Sequence, residues 1–135
     1  MSEMSEMPIS VAIIDDDDLY RTIVTRLLQR SGVAVVFQAN NGKAGIDQMS
    51  RCSALPSAVI LDIEMPVMGG FETARKIKQL WPEVFIIIHS SLTIPEVANR
   101  MLNSGSDFFI SKSADIDQVA NAIKKIVVSK CIKCR

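Results

Sequence analysis

Five short apolar runs recur along the chain: Ser10–Ile14, Val33–Phe37, Ala58–Leu61, Val84–Ile88 and Phe108–Ile110. Each is rich in β-branched residues and lacks the apolar–polar alternation of a strand with one wet face. Each therefore predicts a strand buried on both faces of a parallel sheet. Between the runs the apolar spacing becomes helical. Leu19, Ile23, Leu27 and Leu28 form a stripe that Gly32 ends, and Asp17 or Asp18 is placed to cap it. Residues 44–49 follow an Asn40-Asn41-Gly42 turn as a short helix. Phe71, Ala74, Ile77 and Trp81 form a third stripe, stopped by Pro82. Ile94, Val97, Ala98, Met101 and Leu102 form a fourth, closed by Gly105, and Ile116, Val119, Ala120, Ile123 and Ile126 a fifth. Strict alternation of strand and helix predicts an α/β domain, a doubly wound five-stranded parallel sheet. Right-handed crossovers favour the flavodoxin-like (βα)5 arrangement with strand order 2-1-3-4-5. Such a sheet binds its ligand at the carboxyl ends of the strands, near the first and third.

Polar residues stand at four of those ends. The first run leads into Asp15-Asp16-Asp17-Asp18, the third into Asp62, the fourth ends in Ser90-Ser91, and the fifth leads into Ser111-Lys112. Several carboxylates sharing a half-buried cleft need a cation. Oxygen donors without His or Cys select a hard ion, Mg2+ or Mn2+, and Mg2+ recruits phosphate oxygens. The site thus implies phosphoryl chemistry, with Lys112 placed to neutralise a phosphoryl group and Ser90 to donate a hydrogen bond to it.

The composition removes other classes. The 15 Lys and Arg balance 15 Asp and Glu, which disfavours a dedicated nucleic-acid binder. The charge is uneven: residues 1–20 hold Glu3, Glu6 and the four aspartates with no base, whereas the stretch from Lys112 onward is basic. Cys52, Cys131 and Cys134 make an odd set suited to a reducing, cytoplasmic setting. No apolar run reaches the roughly 18–20 residues of a membrane span. Neither G-x-G-x-x-G nor a P-loop is present, which disfavours dinucleotide binding. The expected organisation is a disordered lead-in over 1–8, one domain over 9–128, and a tail or truncated linker over 129–135.

The segments VAIIDDDD-L, LDIEMPVMGGFE, FIIIHSS and GSDFFISKS resemble those of bacterial response-regulator receiver domains. The resemblance covers about residues 9–128, and LDIEMPVMGG is its most specific part. It implies a two-component signalling domain that takes a phosphoryl group from a sensor histidine kinase or phosphotransfer protein onto Asp62. Asp15 and Asp16 would be the acidic pair, with Asp16 the more direct Mg2+ ligand. Asp62 and the backbone carbonyl of Glu64 would complete the metal site. Ser90 would be the switch hydroxyl, Lys112 the phosphate-contacting lysine and Phe109 the aromatic switch. The face made by the fourth helix, fifth strand and fifth helix would meet an output domain, a partner protein or a second copy of the chain. The sequence departs from the family at three places. Ser91 replaces the usual Ala, Phe109 the commoner Tyr, and Ser113 the Pro that often follows the lysine, so a trans bond or rearranged loop is expected there. The Lys-Ser-Ala stretch is similar to receivers of the LuxR/NarL type, whose DNA contacts are made by a separate output domain. No such domain fits after Val128, so DNA would be met only indirectly.

An enzyme of another class uses related residues. A haloacid dehalogenase-type phosphatase would employ Asp15-x-Asp17, Ser90, Lys112 and Asp115 or Asp117, but would leave Asp62 idle. Otherwise catalysis is limited to the domain's own phosphorylation and dephosphorylation. His89 is read as a core residue. Cys131-x-x-Cys134 lacks the further ligands of a metal site, and Lys124, Lys125, Lys130, Lys133 and Arg135 are read as a solvated face.

Overall fold

The computed structural model describes residues 9–92 and 94–133. Its elements alternate: β1 (Ser10–Ile14), α1 (Asp18–Arg30), β2 (Ala34–Ala39), α2 (Gly42–Arg51), β3 (Ala58–Leu61), α3 (Gly70–Leu80), β4 (Phe85–Ser90), α4 (Ile94–Ser104), β5 (Phe108–Ser111) and α5 (Ile116–Lys133). All five strands are parallel, in the order β2-β1-β3-β4-β5. The reversal of strand order beside β1 and β3 opens the crevice in which such sheets hold ligands.

Alternate residues of each central strand feed two cores. Ile14, Leu61, Ile86 and Ile88 pack with Met49, Phe71, Ile77 and Val97 on one face of the sheet. Val11, Ile13, Ile60 and Ile87 pack with Val24, Leu28, Val119 and Ile123 on the other. This two-sided demand explains why β3 is buried throughout and β1 and β4 nearly so. The outer strands differ from expectation. β2 alternates between exposed and half-buried positions, and β5 is at most half-buried. Each is an edge strand, covered less completely than the central three, so the double burial expected of all five runs holds only in the middle.

The first helix also corrects its expected stripe. Leu19 and Ile23 are 70% and 40% exposed, and the buried positions are Val24, Thr25 and Leu28. The first turn follows directly from the aspartates at the sheet's carboxyl edge, where little sheet lies beneath it. Gly32 and Gly105, at φ of 88° and 80°, end α1 and α4 in the left-handed region that a Cβ disfavours. Trp81 caps α3 rather than joining its last turn. The fifth helix runs to Lys133, so residues 129–133, expected as tail or linker, are helical. The expected lead-in over 1–8 lies outside the described residues, as do the side chains of Ile94, Leu102 and the Cys131-x-x-Cys134 pair.

Candidate functional site

The carboxyl edge of the sheet gathers the polar residues. Asp15 leaves β1 with its N–H donated to the Ala39 carbonyl at 3.0 Å, and the Asp62 N–H leaves β3 donating to the Ile14 carbonyl at 2.9 Å. These two bonds fix the aspartates side by side across adjacent strands. Carboxylate oxygens of Asp15, Asp16 and Asp62 lie within 4.8 Å of one another. Asp15 and Asp62 are buried, whereas Asp16 is exposed. Lys112, at the end of β5, places Nζ 2.7 Å from Asp15 Oδ2 and 3.6 Å from Asp62 Oδ1.

The aspartate run divides its work. Asp17 is the N-cap of α1, its Oδ1 accepting from the Tyr20 N–H at 3.0 Å. Asp18 pairs with Arg21 at 2.8 Å. Arg21 also donates to the Asp15 carbonyl at 2.6 Å and to Gln38 at 3.1 Å, bracing the acidic loop against β2. The Asp17 N–H donates to Asp15 Oδ1 at 2.9 Å.

One ammonium does not neutralise three carboxylates. Burial and the neighbouring Asp15 charge push the Asp62 carboxyl up to about 6, against the opposing pull of Lys112 and the Ile63 N–H. An all-oxygen donor set short of positive charge suits a hard divalent ion such as Mg2+. Glu64 lies two residues beyond Asp62, with its side chain exposed. Ser90 is buried at the end of β4, and its Oγ accepts from the Leu92 N–H at 3.1 Å, which leaves its own proton to donate. Phe109 is half-buried against the core beneath α3 and α4. The Lys112–Ser113 peptide is trans. Ser111 and Ser113 close the loop through their hydroxyls, 2.6 Å apart, and Ser111 Oγ accepts from the Ser113 N–H at 3.1 Å.

Three residues near the site carried no clear sequence signal. Arg21 looked like any surface base on a helix. Tyr20 looked like a helix residue outside the apolar stripe, yet it lies against Lys112 and His89. Val67, in the loop after β3, takes a φ of 70°, a strained conformation for a β-branched residue and one common beside functional sites.

Residues 11–124 match the family model of the response regulator receiver domain. The chain belongs to that family. Response regulator GacA of Pseudomonas aeruginosa is 30% identical over 120 residues, which cover 87% of this chain and 55% of the relative. A protein-glutamate methylesterase/protein-glutamine glutaminase of Azospirillum brasilense is 32% identical over 128 residues, covering 91% of this chain and 32% of the relative. The receiver thus spans about half or less of these relatives. A LuxR-family two-component response regulator from an Aurantimonas species superposes with a TM-score of 0.81 at 25% identity, covering 90% of this chain and 86% of the other. A CheY-like receiver domain protein from Methanospirillum hungatei has the same fold, with a TM-score of 0.81 at 22% identity over 93% and 98% of the two chains. The protein is a response-regulator receiver domain of a two-component system. The phosphatase reading gains no support: Asp17 is committed to the helix cap, Asp115 and Asp117 are exposed, and Asp62 sits among the clustered carboxylates. Among the described residues no helix is long and apolar enough to cross a membrane.

Proposed function

We propose that this receiver accepts a phosphoryl group on Asp62 from a phosphohistidine of a sensor kinase or phosphotransfer protein. The carrying observation is the carboxylate cluster of Asp15, Asp16 and Asp62 with Lys112 at its rim. Asp62 Oδ1 is held by the Ile63 N–H at 2.9 Å and faces Lys112, and Oδ2 is the oxygen left to attack phosphorus. The P–O bond to Asp62 forms as the donor's P–N bond breaks, and the donor imidazole leaves with a proton from solvent. Asp15, Asp16, Asp62 and the carbonyl of Glu64 would hold Mg2+, which when bound neutralises charge on the phosphoryl oxygens. Lys112 exchanges its pairing with Asp15 for a phosphoryl oxygen, and the Ser90 hydroxyl donates to another. Ser90 is then drawn toward the phosphoryl group, and Phe109, already half-buried, fills the volume beneath β5. The α4-β5-α5 face presents this change to an output domain or to a second copy of the chain. The cytoplasm, where histidine kinases present their phosphohistidine, is the setting that this chemistry requires.

Acetyl phosphate with Mg2+ supplies the test. Intact mass should show one acid-labile phosphoryl group on the wild type, none without Mg2+, and none on Asp62→Asn. Repeated turnover of a phosphate ester would instead describe a phosphatase.

A further inference from the structure

His89 is the only histidine of the chain and is buried at the penultimate position of β4. Its Nδ1 lies 2.7 Å from the Ile110 carbonyl of β5. A carbonyl only accepts, so Nδ1 carries the proton. Its Nε2 lies 2.6 Å from the Tyr20 hydroxyl, and in the neutral ring Nε2 is an acceptor. The direction of both bonds is therefore set: Tyr20 O–H donates to His89, and His89 N–H donates to Ile110. Burial lowers the His89 pKa, and burial beside Asp15 and Asp17 pushes the Tyr20 phenol up to about 12, so both groups stay neutral. The two rings also touch, with centroids 5.4 Å apart.

The far side of this pair meets Lys112. Its Nζ lies 4.7 Å from the centre of the Tyr20 ring while it pairs with Asp15 and Asp62. An ammonium at that distance is attracted by the ring face. Lys112 follows Ile110 by two residues on the same chain segment. The bonds thus join α1, β4 and β5 around the lysine: Tyr20 touches the Lys112 side chain, and His89 fastens Tyr20 to the strand that leads to it.

We infer that Tyr20 is a positioning residue for Lys112, and that His89 holds the Tyr20 ring where the lysine needs it. The inference rests on the phosphoacceptor reading of Asp62, with Lys112 as the group that meets the phosphoryl oxygens. The ring limits where the ammonium travels when it leaves Asp15. The hydroxyl bond supplies the rigidity of the ring, and the ring face supplies the contact.

Two readouts test this, one of them independent of phosphorylation. NMR of the full chain without metal should show the Lys112 side-chain protons shifted upfield by the Tyr20 ring. That shift should weaken in Tyr20→Phe, whose ring has lost its bond to His89, and vanish in Tyr20→Leu. Long-range proton–nitrogen spectra should show His89 protonated on Nδ1 with Nε2 as acceptor. The opposite tautomer, or a Lys112 shift insensitive to Tyr20→Leu, overturns the inference. The second readout is the rate of phosphorylation by acetyl phosphate, with thermal melts as a stability control. Tyr20→Leu should slow it roughly three- to tenfold, the range expected for one lost cation–π contact, while Tyr20→Phe, which keeps the ring and loses its bond to His89, should slow it measurably but by less than Tyr20→Leu. Equal slowing by both variants, or none by Tyr20→Leu, overturns the positioning role, and a Tyr20→Phe variant indistinguishable from the wild type overturns the part given to His89. A wild type that takes no phosphoryl group at all would instead defeat the reading of Asp62, and the spectra would still decide the placement of Lys112.

Discussion

Replacing the phosphoacceptor candidate by its neutral isostere should stabilise the metal-free fold. In Asp62→Asn the amide oxygen still accepts from the Ile63 N–H, and Lys112 keeps its closer partner Asp15. What disappears is a carboxylate charge facing Asp15 and Asp16. The folded-state pKa of about 6, raised from 3.8 chiefly by burial, measures the cost of that charge. Two units correspond to about 3 kcal/mol, and solvent screening at the open rim reduces this to about 1–2 kcal/mol. The sign follows from linkage. A carboxyl whose folded pKa is raised holds its proton more tightly in the folded chain, so stability falls as pH rises from about 4 to about 6. The penalty is full above that window and absent below it. Urea unfolding in EDTA, followed by Trp81 fluorescence and circular dichroism, should therefore show Asp62→Asn more stable at pH 7.5. That corresponds to a Tm higher by about 4–8 °C. The advantage should shrink as pH falls through that window and approach zero below about pH 4, and Mg2+ should erase it by stabilising the wild type more. A variant no more stable at pH 7.5, or an advantage independent of pH, would refute the reasoning.

Three further outcomes are expected. Mg2+ titrations should weaken more for Asp16→Asn than for Asp15→Asn, since the exposed Asp16 carboxylate is free to face an entering cation while Asp15 is already paired with Lys112; equal affinities would reassign the ligand. Gly70→Ala should cost about 1–3 kcal/mol or more in urea unfolding, because a Cβ there would collide with the backbone of Asp62 and Ile63; unchanged stability would mean that the loop after β3 yields freely. Ser90→Ala should still be phosphorylated, but beryllofluoride with Mg2+ should no longer shift the NMR resonances of α4, β5 and α5; surviving shifts would show that the signal leaves Asp62 by another route.

The sequence made the sheet legible because central strands buried on two faces leave an unmistakable apolar record, as in Ile86-Ile87-Ile88. Edge strands leave a weaker one: Val35 and Phe37 alternate with exposed Ala34, Val36 and Gln38, and composition alone hides that alternation. The stripe of α1 was misplaced because Leu19 and Ile23 are as apolar as Val24 and Leu28, and only the edge of the sheet decides which are covered. Asp15, Asp16, Asp62 and Lys112 were legible as a group because strand ends in this topology converge. The division of the aspartate run between cluster and cap follows from the direction of α1. Tyr20 and His89 were illegible as a pair, since a bond between residues 69 apart depends on packing that no local pattern records.

Borohydride reduction tests the central claim most directly, because it converts an aspartyl phosphate into homoserine in place. The wild-type chain, phosphorylated with acetyl phosphate and Mg2+ and then reduced, should yield homoserine at position 62 alone when its peptides are sequenced by mass spectrometry. Homoserine at Asp15, Asp16 or Asp17, or none at any position in a chain that carries phosphate, would contradict the assignment of Asp62 as the phosphoacceptor.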